Sequence, residues 1–190
     1  MSIRSTWLLL PLLGCQTKAD PPAADPTVMV EVREGTKVVA SVRPGRPCRA
    51  IIGPLEMIIG GPPLVSQLGD MRWSGIDGSN GTTLEREGDR VARIFPIADR
   101  GTLGVFDGNG VAMLRVQATP AGATVSDAAS RVLRTLAMTG ATIHADHPDL
   151  VVTGTHDVLL ASVLTAPELA PEIRMLAACE RVLVTEKKEL

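Results

Sequence analysis

Over residues 27–117 the chain is interrupted at roughly ten-residue intervals by Gly, Pro, Asp or Asn, and most stretches between alternate apolar with polar. A chain punctuated this often has no room for long helices there. It must pair short strands, and the tight breaks make the pairing antiparallel. Val28, Val30 and Val32 alternate with Met29, Glu31 and Arg33, the period of a half-buried strand. Glu34-Gly35 then turns the chain into residues 37–42, and the two stretches read as a hairpin. Gly53-Pro54 divides apolar runs at 49–53 and 55–60, and Gly60-Gly61-Pro62-Pro63 reads as a loop. Asp77-Gly78-Ser79-Asn80-Gly81 joins 71–76 to 82–86, and Asp107-Gly108-Asn109-Gly110 joins 102–106 to 111–117. Asp-Gly and Asn-Gly suit the positive φ of hairpin turns. With a further run at 90–97, about eight or nine strands are expected, forming a sandwich or a barrel-like sheet.

The pattern changes after Pro120. Thr124 and Asp127 stand at the spacing of a capping box. Val125, Ala129, Val132, Leu133, Leu136 and Ala137 then share one helical face, with Arg131 and Arg134 off it and Gly140 as the stop. Residues 142–145 and 150–153 read as short strands around His147-Pro148. Thr155 is the expected cap of a second helix carrying Val158, Leu159, Val163 and Leu164. Pro171 suits the first turn of a third helix reaching about Glu180, followed by a last strand at 181–185. The expected fold class is therefore α+β. An antiparallel β-rich half precedes a half with about three helices and short strands, in a single domain over residues 27–190.

The chain is 45% hydrophobic but only 2% aromatic, with no Tyr, so its core must be aliphatic. Trp7, Trp73, Phe95 and Phe106 are its aromatic residues, too few for stacking platforms that bind sugars or single strands. A formal net charge of −2 gives no electrostatic footprint for a nucleic-acid partner. Arg33, Lys37, Arg43, Arg46 and Arg49 make the early β region locally basic. Glu31 and Glu34 dilute the patch, which reads as a solvated strand face rather than a lipid-headgroup site.

All three histidines fall close together, His144, His147 and His156, with Asp146, Asp149 and Asp157 among them. Imidazole and carboxylate together suit a divalent metal, so His144, Asp146, His147 and His156 are the candidate ligands. Their spacing matches no metal signature, and His147-Pro148-Asp149 also reads as an ordinary turn. The two Asp/Asn/Gly loops fail the calcium-loop pattern, because counting from Asp77 places Thr82 and Gly88 where Gly and Glu are needed. Hairpin turns account for both. The chain has no Gly-x-Ser-x-Gly elbow, no phosphate-binding Gly-Lys-Ser/Thr loop and no His-Glu-x-x-His. No catalytic residue is nominated, and Ser66, Ser74, Ser79, Ser126 and Ser162 lie in no catalytic context.

Arg4 precedes a short apolar run, Trp7-Leu8-Leu9-Leu10-Pro11-Leu12-Leu13, which ends at Gly14-Cys15. The order of charge, apolar stretch and small residue is that of a secretory signal, and the run is too short to span a bilayer. Leu12-Leu13-Gly14-Cys15 resembles the lipobox of bacterial lipoproteins. The resemblance implies cleavage of residues 1–14 and lipid on Cys15, whose two or three acyl chains anchor stably. Residues 15–26 would then be a lipidated Cys and a Pro-rich tether, with Gln16 rather than Asp pointing to the outer membrane. In that oxidising compartment Cys48 and Cys179 form an even pair, expected as a disulfide, with two buried free thiols as the alternative. The function expected is that of an envelope lipoprotein facing the periplasm. It would bind or scaffold an envelope protein or small ligand without catalysis, and a metal-binding protein or metal-dependent enzyme is the alternative.

Overall fold

The structure, a computed structural model, describes residues 29–60, 64–68, 71–78, 81–96, 101–146 and 148–186. The signal-like segment, Cys15 and the tether lie outside the described residues, as does His147. Fourteen strands come first: β1 Val30–Glu34, β2 Lys37–Arg43, β3 Cys48–Ile52, β4 Leu55–Ile59, β5 Leu64–Leu68, β6 Met71–Gly78 and β7 Gly81–Arg86, then β8 Asp89–Pro96, β9 Thr102–Asp107, β10 Ala112–Thr119, β11 Gly122–Ser126, β12 Val132–Thr139, β13 Thr142–Ala145 and β14 Leu150–Thr153. Two helices follow, α1 Val158–Leu164 and α2 Pro171–Glu186.

Each strand is hydrogen-bonded antiparallel to its neighbours in sequence, except that β4 and β5 form no ladder with each other, and β1 closes onto β14, so the sheet runs β4-β3-β2-β1-β14-β13 and on down to β5. Its two ends, β4 and β5, meet at a single bridge between Gly60 and Val65. The result is a nearly closed up-and-down barrel rather than a sandwich. Closure hides the unpaired strand edges that an open sheet would leave.

Register carries the alternation round the ring. Val32 stands opposite Val152, and Val152 opposite Ile143. Val116 faces Val125 on one side and Leu103 on the other. These inward positions are buried. The outward positions carry Glu31, Arg33, Arg49, Glu56, Glu85, Arg93 and Arg115. These charges share the outer wall with exposed Ile58, Val132 and Met138. Among the described residues no helix is long and apolar enough to cross a membrane.

Fourteen strands at about 4.8 Å spacing give a perimeter of about 67 Å before tilt, more than inward side chains alone can fill. The helices fill it. Leu159 to Leu164 are all buried in α1, and Ile173, Met175, Leu176, Ala177, Ala178, Cys179 and Leu183 are buried in α2. α1 packs on β10, β11 and β12, while α2 packs on β2, β3, β4 and β7. The core is aliphatic, as the composition requires.

Five expectations are corrected. The helix expected from Thr124 to Gly140 is the hairpin β11–β12. Asp127 is not a helix cap; its Oδ1 accepts from the Ala129 and Arg131 N–H groups at 2.9 Å each, closing a tight turn. Asp107 makes the same turn between β9 and β10, accepting from Asn109 and Val111. The positive-φ place falls on Gly110 in one turn and on Ser130 in the other. Two helices are present rather than about three, and the strand expected at 181–185 is the last part of α2. Helix α1 is capped by Asp157, not Thr155. The Asp157 carboxylate accepts from Leu159 and Leu160 N–H, while the Thr155 hydroxyl accepts from Asp157 N–H. Strand β5 was not expected from the sequence at all.

Candidate functional site

The proposed metal ligands occupy separate structural roles. His144 is exposed on the outer side of β13, its Nε2 3.1 Å from the Thr142 hydroxyl. Asp146 follows β13, and its carboxylate accepts from the Thr135 N–H and the Thr135 hydroxyl, each at 2.7 Å. The Asp146 N–H also donates to the Thr135 carbonyl, which extends the β12–β13 ladder. His156 is exposed ahead of α1. Among the described residues no group of three or more His, Cys, Asp or Glu gathers closely enough to hold a metal ion.

The basic stretch is partly neutralised. Arg33 pairs with Glu31 at 2.5 Å, and Arg49 pairs with Glu56. The Glu56 carboxylate, first as hydrogen-bond partner and then as charge, raises the Arg49 pKa. Of the serines, Ser66 donates to the Ile58 carbonyl and Ser162 to the Val158 carbonyl. Both hydroxyls thus serve the backbone and not a base.

Cys48 of β3 and Cys179 of α2 stand at disulfide-bonding distance, with their Cα atoms 5.8 Å apart across 131 residues of sequence. Both are wholly buried. One residue further along α2, Glu180 accepts a hydrogen bond of 3.0 Å from the Thr82 hydroxyl of β7. Asp157 joins the helices to each other by accepting from Arg181 Nε at 2.6 Å.

The least expected site is the charged cluster inside the barrel. Arg134 of β12 has a wholly buried side chain, donates to the Thr165 carbonyl at 2.5 Å and pairs with Glu168. Arg174 of α2 donates to the Leu164 carbonyl. Both guanidiniums therefore serve the C-terminal end of α1, where carbonyls lack helical partners and the dipole is negative. Burial first, and then the neighbouring Arg134 charge, lower the Arg174 pKa, while Glu168 acts the other way. The Nε of each arginine has no hydrogen-bond partner. The sequence offered no signal for this cluster, since Arg134 sat off the face of a presumed helix. Chemically the cluster can hold a helix end, but it presents no nucleophile.

On the outer wall Phe95 and Phe106 stack with ring centroids 4.5 Å apart and planes 2° from parallel. The Arg93 guanidinium lies 5.6 Å from the Phe95 centroid. Both phenyls are half-buried, and Gly104, which pairs with Phe95, is itself buried. On the inner side, Trp73 is buried with Arg86 at 5.8 Å from its ring, and its Nε1 lacks a hydrogen-bond partner. Compared with protein-family models, curated proteins and solved structures, the chain has no match.

Proposed function

We propose that this chain is an envelope lipoprotein, held by lipid on Cys15 and a tether over residues 16–26, whose barrel binds or scaffolds without catalysis. The observation that carries the second half of this reading is the filled interior. Two helices and the inward side chains occupy the space in which a barrel would hold a small ligand. The interior charges are engaged with a helix end or with each other. Recognition is then a matter of the outer wall, where the Phe95–Phe106 stack beside Arg93 combines apolar area with a cation.

The anchor is tested by the intact mass of the membrane-extracted protein beside a Cys15→Ala variant. A diacyl or triacyl increment that disappears in the variant, with release into the soluble fraction, supports the reading. An unacylated mass overturns it. Binding is tested by placing a photo-crosslinking residue at Phe106 and, separately, at His144 in intact cells. A discrete adduct from position 106 alone supports recognition by this face, and no adduct from either position overturns it. A stoichiometric divalent metal retained through dialysis and lost in His144→Ala or His156→Ala would replace this reading with the metal-binding one.

A further inference from the structure

Among the described residues the barrel has one weak junction, and α2 lies across its inner side. Thirteen neighbouring pairs in the ring form ladders, whereas β4 and β5 share one bridge. That bridge comprises Gly60 N–H to Val65 O at 3.0 Å and Val65 N–H to Gly60 O at 3.2 Å. Beside it the Ser66 hydroxyl donates to the Ile58 carbonyl at 2.9 Å, a side chain standing in for the ladder. In the ring, β3 lies one strand from the junction on one side, and β7 lies two strands from it on the other.

Consecutive residues of α2 grip these two flanks. Cys179 stands at bonding distance from Cys48 of β3, and Glu180 accepts from Thr82 of β7. Successive side chains on a helix point about 100° apart, so one turn of helix can reach both flanks. α2 also packs directly on β2, β3 and β4 on one side and on β7 on the other. Among the described residues the wall gives little hydrogen-bonded closure at β4–β5, and α2 packs on strands to both sides of it from within.

We infer that α2 is an internal clasp closing the barrel at the β4–β5 junction, and that the Cys48–Cys179 bond makes this closure redox-sensitive. Both sulfurs are buried, so a dithiol reductant takes the bond apart by exchange during transient opening of the barrel. Its thiolate attacks one sulfur, its second thiol resolves the mixed disulfide, and it leaves as a cyclic disulfide. Cys48 and Cys179 become thiols, having gained two electrons and two protons. The β3 flank then loses its covalent tie to α2, and the backbone groups of β4 and β5 open to solvent. This inference is independent of the lipid anchor.

Hydrogen–deuterium exchange on the full chain, before and after treatment with dithiothreitol, tests it. Exchange at β4 and β5 amides is expected to rise by about tenfold or more on reduction, while β11–β13 amides on the far wall stay within about twofold. Unchanged exchange at β4 and β5 with both thiols free, or a bond that dithiothreitol fails to open in the folded protein, overturns the inference. If reduction loosens the whole barrel alike, Thr82→Val in the oxidised protein decides. A selective rise at β4 and β5 upholds the clasp, and a uniform rise or no rise overturns it.

Discussion

Replacing Arg134 by Ala leaves the Glu168 carboxylate and the Thr165 carbonyl without their donor against the end of α1. Glu168 still meets water, so the cost comes mainly from the buried Thr165 carbonyl left without a donor, and Arg134→Ala is expected to lower unfolding free energy by about 1–3 kcal/mol, read by urea denaturation. Arg134→Met keeps the volume and is expected to lose less, because packing replaces part of what the charge supplied. Ser130 makes the opposite case. It holds a left-handed φ of 62° where the matching turn has Gly110. Ser130→Gly is therefore expected to stabilise by up to about 1 kcal/mol, seen as a raised urea midpoint. Both residues were hidden in the sequence for the same reason: each belongs to a hairpin whose period is masked. Arg134 fills an inward place that alternation assigns to an apolar residue, and without that apolar residue residues 125–137 fit a helical period instead.

The β11–β12 hairpin also carries a pH dependence. Backbone and side-chain hydrogen bonds from Arg131 hold the Asp127 pKa below its ordinary value, with the Ala129 N–H a smaller contribution. A depressed carboxyl pKa stabilises above the unfolded-state value and loses that support as pH falls through the folded one. Protection of the Ala129 and Arg131 amides, relative to their intrinsic exchange rates, is thus expected to fall below about pH 4, and Asp127→Asn should remove most of that acid dependence. Packing between strands sets a second limit in this hairpin. A Cβ on Gly122 would stand 1.8 Å from the Leu136 carbonyl oxygen, at a φ of +155°. Both the clash and the strain are backbone matters, which a rotamer change cannot relieve. Gly122→Ala is expected to cost about 3 kcal/mol and to shift the urea midpoint accordingly.

Across the whole molecule the Cys48–Cys179 link would close a 131-residue loop. On the chain-entropy account this contributes up to about 5 kcal/mol, with native strain and residual denatured structure reducing it. The double variant Cys48→Ala/Cys179→Ala is expected to lose most of that in urea denaturation. Its intact mass should not respond to reductant, whereas the parent gains two hydrogens. A non-reducible parent mass would mean that the two thiols are free.

Turn chemistry and period-two alternation are local, so residues 29–60 and 71–117 displayed their strands in the sequence, and strands 142–145 and 150–153 matched residue for residue. The aliphatic core and the helical character of 158–164 and 171–180 were legible on the same grounds. What the sequence could not contain was the closure. Whether β1 pairs with β14, and whether a sheet curls round two helices or splits into a sandwich, depends on contacts between residues more than a hundred positions apart. Tertiary packing likewise placed Arg134 against α1 and brought Glu180 to Thr82, while residues 181–186 continue α2 rather than form a strand. Local propensity is silent on each, because contacts across the barrel decide them.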